Sequence, residues 1–145
     1  MNVAGLKETS DALNELPQTV AKRILRKGLR VGAKVVLSVA RADAPVGSSG
    51  RLRKNIKIRG GRGSNGKIVL NVGVGAKDFT GEAFYASFVL YGHRVGPRRL
   101  GNARKLVPAN NFLERAYDAA KENAVTVTAE TWVELIEASA SQGGK

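Results

Sequence analysis

The stretch Gly61-Arg62-Gly63-Ser64-Asn65-Gly66-Lys67 matches the G-x-x-x-x-G-K half of a nucleotide-binding P-loop. Such a loop needs a Ser or Thr next, to hold magnesium, and then a helix whose free N–H groups face the phosphates. Here Ile68 follows, and the residues after it alternate as a strand does, so the segment reads as a hairpin tip. A nucleotide-dependent enzyme relying on Lys67 is therefore the most distant of the functions considered. His93 is the one histidine, so no histidine pair can hold a metal. As a general base it would need an orienting partner, and the central region offers only Asp78 and Glu82 as acids. There is no Gly-x-Ser-x-Gly elbow and no carboxylate pair suited to glycoside or phosphoryl chemistry. His93 reads as an exposed loop residue or a hydrogen-bonding one, and the C-terminal acids as a solvated or partner-facing helix side. Without cysteine there is neither a disulfide framework nor a thiolate metal site. The expectation is a protein that is not an enzyme, with no catalytic residue, cofactor or metal.

The chemistry that remains is cationic. Twenty-four Lys and Arg against twelve Asp and Glu give +12, unevenly spread. Residues 1–50 carry eight basic and four acidic side chains, residues 51–108 thirteen and two, and residues 109–145 three and six. Two groups stand out: Arg51, Arg53, Lys54, Lys57 and Arg59 beside a hairpin, and Arg94, Arg98, Arg99, Arg104 and Lys105 in one loop. Guanidinium groups suit bidentate phosphate contact, which positions a protein on nucleic acid without reading sequence. No recognition-helix motif, RNA-binding aromatic signature or zinc finger is present, so base-specific readout is not expected. The same cations could instead meet acidic faces of other subunits, including the acids of residues 114–137. These ten are candidates for a DNA channel or a subunit interface, and charge alone does not choose between them.

The elements that must carry these residues are legible in outline. Residues 3–15 suggest a short helix, with Leu6 and Leu13 one heptad apart. Pro17 suits a first helical position, and a longer helix is expected from there to about Arg41. In it Val20, Ile24, Val31, Val35 and Val39 share one side, and Lys22, Arg23, Arg26, Lys27, Arg30 and Lys34 form a basic ridge on the other. After a loop over 44–50, Leu52 to Arg59 alternates with period two, broken by Lys54, and Lys67 to Val74 turns Ile68, Leu70, Val72 and Val74 inward. Together they predict an antiparallel hairpin with a glycine-rich tip. Residues 82–91 fit a helical stripe through Phe84, Tyr85, Phe88 and Val89 and also suit a strand; a short helix ending at Gly92 is the reading taken. Residues 94–105 should be extended loop. Asn111 with Glu114 three residues later resembles a capping box, opening a last helix with Phe112, Leu113, Ala116, Tyr117 and Ala120 on its apolar stripe. The β-branched run Val125-Thr126-Val127-Thr128 leaves room for a kink.

The fold class expected is α+β: a long N-terminal helix, a small antiparallel sheet, a short central helix and a long C-terminal helix. The length favours one domain over residues 1–139, with a disordered tail at 140–145. Neither a secretion signal nor an apolar run of membrane-spanning length is recognisable, so a soluble protein of a reducing compartment, not of a membrane, is expected.

Four spaced segments resemble one family. They are Leu16-Pro17; Ala44-Pro45 with Ser49-Gly50-Arg51-Leu52; Tyr85-Ala86-x-Phe88-Val89-x-Tyr91-Gly92; and Pro108-Ala109-Asn110-x-Phe112-Leu113-x-x-Ala116. In this order they are similar to the neck or tail-completion (head–tail joining) proteins of lambda-like long-tailed bacteriophages, the gene-ten-like family of an HK-type phage. The resemblance runs from about residue 6 to residue 124. The chain departs from the family pattern at Leu90, His93 and Asn111, where an acidic residue, a threonine and a proline are usual. The resemblance implies that Tyr85, Phe88, Tyr91, Gly92, Phe112 and Leu113 are framework or interface positions. It implies a structural virion protein, assembled in the host bacterial cytoplasm, forming a homo-oligomeric and six-fold ring. Its neighbours would be a head-side connector or stopper protein and a tail terminator or tail-tube protein, with phage double-stranded DNA in the lumen. A sequence-independent basic nucleic-acid-binding protein is the alternative.

Overall fold

The computed structural model describes residues 6–46, 50–64, 67–75, 85–96 and 105–142. Helix α1 (Leu6–Glu15) is followed by α2 (Gln18–Asp43), a helical turn α3 (Arg51–Asn55) and strand β1 (Ile56–Gly60). Strand β2 (Leu70–Val74), helix α4 (Ala86–Tyr91), strands β3 (His93–Val95) and β4 (Lys105–Val107), and helix α5 (Phe112–Gln142) complete the order. The protein is α+β, with two long helices against small antiparallel hairpins.

Pro17 stands one position outside α2, extended at φ −51° and ψ 136°, and its carbonyl accepts from the N–H groups of Val20 and Ala21. A proline there leaves no orphaned donor, and it turns the chain sharply between α1 and α2. Helices α2 and α5 run antiparallel in steady register. Trp132 Nε1 donates to the Leu25 carbonyl at 3.2 Å near one end, and Arg115 meets Asp43 at 2.9 Å near the other. The buried line of α2 is Ile24, Gly28, Gly32 and Ala40, and that of α5 is Phe112, Ala116, Ala120, Ala124 and Thr128. Both follow four-residue spacing, so two ridges of small side chains let the backbones approach closely. A β-carbon on Gly28 would strike the Trp132 ring. One on Gly32 would strike Thr128 Oγ1 and stand 2.7 Å from the Ala124 carbonyl oxygen. The valine side of α2 expected to be buried is thus only its half-buried flank, and the seam is rotated towards the glycines.

The core gathers where the C-terminal end of α2 meets the start of α5. Leu52, Ile56 and Phe112 are its largest fully buried side chains, among Ala40, Ala44, Ala86 and Ala116. Burying each of those three stabilises the fold by about 1.5–3 kcal/mol. Strands β1 and β2 pair antiparallel, Ile56 opposite Val74, Ile58 opposite Val72 and Gly60 opposite Leu70. The expected hairpin is therefore present, with two changes. Residues 51–55 form a helical turn instead of the start of a strand, because Gly50 at φ 59° redirects the chain and Tyr85 Oη accepts the Leu52 N–H at 2.8 Å. Lys54 breaks no apolar row; it is an exposed position on that turn.

The segment expected to be loop over 94–105 holds strands at both ends. Strands β3 and β4 pair antiparallel, His93 opposite Val107 and Val95 opposite Lys105, while residues 97–104 lie outside the described set. The short central helix is present as α4, closed by Gly92 at φ 71°. Helix α5 passes through Val125–Thr128 without a break. There Thr126 and Thr128 donate to the carbonyls four residues back, so their hydroxyls are satisfied within the helix. The helix continues to Gln142, three residues into the segment expected to be disordered.

Candidate interaction surface

Lys22, Arg23, Arg26, Lys27, Arg30 and Lys34 are all exposed along α2, and among the described residues none of the six forms an ion pair. The row extends about 18 Å at 1.5 Å per residue. Its members repel one another at three- and four-residue spacing, which works against the helix by a few tenths of a kcal/mol per pair. The α2–α5 seam supplies the compensation.

The predicted hairpin cations divide between two elements. Arg51, Arg53 and Lys54 sit on α3, where Arg53 Nη2 donates to the Ala42 carbonyl at 3.2 Å. Lys57 and Arg59 occupy the outer face of β1, away from Ile56 and Ile58, and the Arg59 guanidinium lies over Gly75. Arg94 and Lys105 are exposed on the second hairpin. Arg98, Arg99 and Arg104 lie outside the described residues. The seven described candidates are thus spread over three places: α3, β1, and the β3–β4 pair. Sequence reasoning did not single out Arg41, whose Nε and Nη2 both donate to the Ile56 carbonyl at 3.2 and 2.9 Å, pinning β1 to α2. The signal available was its place at the C-terminal end of a helix just before a loop.

Among the framework positions, Phe112 is fully buried, Leu113 packs against the core, and Tyr85 bridges to Leu52. Gly92 has the Val107 carbonyl oxygen 2.7 Å and the Ala109 nitrogen 2.9 Å from where a β-carbon would stand, so it is doubly constrained. Phe88 and Tyr91 differ from these: they are 45% and 79% exposed. The Phe88 ring lies 5.2 Å from that of His93, whose Nδ1 is 3.3 Å from the Phe88 carbonyl oxygen. His93 therefore braces α4 against β3. Around the P-loop-like stretch, the Gly61 N–H bonds Val69 and the Lys67 N–H bonds Ser64, and the chain goes on to β2; no helix N-terminus follows Lys67.

An open apolar groove of about 770 Å³ runs between α2, β2 and α5, with Val36, Val72, Leu113, Val125 and Trp132 among its walls. Its one charged lining side chain among the described residues is Lys121, while the carboxylates Glu114, Asp118 and Glu122 are exposed on α5. Asp118 bonds Lys121 at 3.1 Å and raises that ammonium's pKa above its ordinary value. Among the described residues no three His, Asp or Glu side chains gather as metal ligands, and no helix is long and apolar enough to cross a membrane.

These surfaces are suited to contact with other macromolecules. No curated protein and no solved structure matches the chain. A family model does: residues 7–92 match the HK97-gp10-like family, described as bacteriophage tail components. The matched span holds the first three of the four segments that carried the resemblance and stops short of Pro108–Ala116. With more than half its length matched, the chain belongs to the HK97-gp10-like family of bacteriophage tail components.

Proposed function

We propose that this virion protein is a neck or tail-completion subunit, forming a six-fold ring that joins the DNA-filled head to the tail. In that ring it would contact a head-side connector or stopper and a tail terminator or tube protein, with double-stranded DNA passing through the lumen. It carries out no reaction; its work is binding. Assembly takes place in the host cytoplasm.

The observation that carries the reading, beyond family membership, is the segregation of exposed charge. Cations dominate the outer face of α2 and both hairpins, while carboxylates line α5. A cyclic ring is built from heterologous contacts, one face of each copy meeting a different face of the next, and segregated charges suit that requirement. Exposed cations bind phosphate weakly and with strong salt screening, so a ring of them would guide DNA and still let it pass.

The test is a phage whose copy of the gene is deleted. It should yield filled heads and complete but unjoined tails, with joining restored by the wild-type chain. Charge reversal at Arg98 and Arg99 should impair that restoration while leaving circular dichroism unchanged. Normal joined particles without the chain would refute the neck role. A monomer that binds short duplexes of any sequence with a steep multi-phosphate salt slope would favour the nucleic-acid-binding alternative.

A further inference from the structure

We infer that the cationic outer line of α2 on one copy of this chain lies against a carboxylate line on α5 of the next copy. The inference rests on the ring reading and names the two faces that would form the contact. Within one chain the helices meet along lines of four-residue pitch, Ile24, Gly28 and Gly32 on α2 and Phe112 to Thr128 on α5. Two residues on from each buried position is a rotation of about 200°, so a second line of the same pitch runs opposite each seam. On α2 that far line is Lys22, Arg26, Arg30 and Lys34, all exposed, with Arg23 and Lys27 beside it. On α5 it is Glu114, Asp118, Glu122, Thr126, Glu130 and Glu134, again all exposed. The helix pair is thus cationic on one side and anionic on the other.

Charge and spacing together select the partner. Residues 18–42 contain no Asp or Glu, and the α2 cations form no ion pair among the described residues. Of the five carboxylates, Asp118 is bonded to Lys121 at 3.1 Å; the other four form no ion pair among the described residues. Each line sets like charges about 6 Å apart, which works against its own helix and is relieved by a line of opposite sign. The four cations match four successive places on the α5 line. Every such run of four holds three carboxylates, so the match does not depend on one register. A DNA duplex on the ridge would use the cations and give the carboxylates nothing to meet, whereas a second copy uses both. Because the two lines lie on opposite sides of one chain, the contact is heterologous, the kind that closes into a ring. The cations of α3, β1 and the second hairpin then remain for the lumen.

The test begins with carbodiimide treatment of phage particles, which joins a lysine directly to a carboxylate in contact with it. The expected result, read by mass spectrometry, is Lys22, Lys27 or Lys34 coupled to carboxylates of the α5 line, with a ladder of multimers on a denaturing gel. Such a link cannot form within one chain, whose two lines face opposite ways. In the deletion phage, Arg26→Glu with Arg30→Glu should lower the yield of joined particles on the order of a hundredfold, and so should Asp118→Lys with Glu122→Lys. All four substitutions in one chain should restore joining to within about tenfold of wild type, since opposite signs face each other again. Circular dichroism of each variant should match that of the wild-type chain. Particles that contain the chain but give no link between these two lines overturn the inference and leave the ring reading standing. A loss on reversing the cations, with none on reversing the carboxylates, also overturns it and assigns the ridge to DNA. Joined particles that form normally without the chain overturn both.

Discussion

On the side of α2 facing α5, the decisive residues have the least side chain, Gly28 and Gly32. On the opposite side they have the most, the Lys and Arg of the ridge. The inner face is intolerant of one added methyl because Trp132, Thr128 and the Ala124 backbone already occupy the space. On the outer face the six cations are exposed and, among the described residues, form no ion pair. Stability and interaction therefore reside on different faces of one helix, and substitutions can separate them.

Five variants can break or sharpen that contrast. Phe112→Ala, emptying the largest fully buried position beside the seam, should cost about 3–5 kcal/mol of unfolding free energy in urea titration. Gly32→Ala should cost about 2–3 kcal/mol by the same measurement, because the new methyl meets backbone that cannot step aside. Gly28→Ala should cost less than Gly32→Ala, since its neighbour is a side-chain ring; equal losses would mean that the seam moves as a rigid unit. Tyr85→Phe removes the acceptor of the Leu52 N–H and should cost about 1–2 kcal/mol, with faster hydrogen exchange over 51–55. Smallest is the outer face: Arg26→Gln with Arg30→Gln should leave stability within about 0.5 kcal/mol. A slight gain from relieved repulsion is the expected sign, and a loss above 1 kcal/mol would show the ridge to be structural after all.

Much of the architecture was legible because it is local. The amphipathic pattern of α2, the alternation in β2, the glycine-rich tip and the stop at Gly92 each follow from a few consecutive side chains. The readings that failed depended on distant partners. Residues 51–55 alternate like a strand, but Leu52 reaches the core on a helical turn whose amide is satisfied by a tyrosine thirty-three residues away. Three-residue strands such as β3 and β4 exist only through each other and leave no periodic trace. The threonines of α5 looked like a weak point; Thr128 instead sits in the seam against Gly32, with its hydroxyl donating to the Ala124 carbonyl at 2.6 Å.

The same division holds for the candidate surface. Net charge and its concentration in residues 51–108 were determined by the sequence alone, since they depend on which residues are present. The family was also within its reach, because ordered motifs survive as strings. Only the tertiary structure could show that Arg41 is tied to a backbone carbonyl while the ridge cations form no ion pair among the described residues. Only it could open an apolar groove between α2, β2 and α5. Pairing and concavity belong to the three-dimensional arrangement: they arise when segments far apart in the chain pack together, and no single segment carries them.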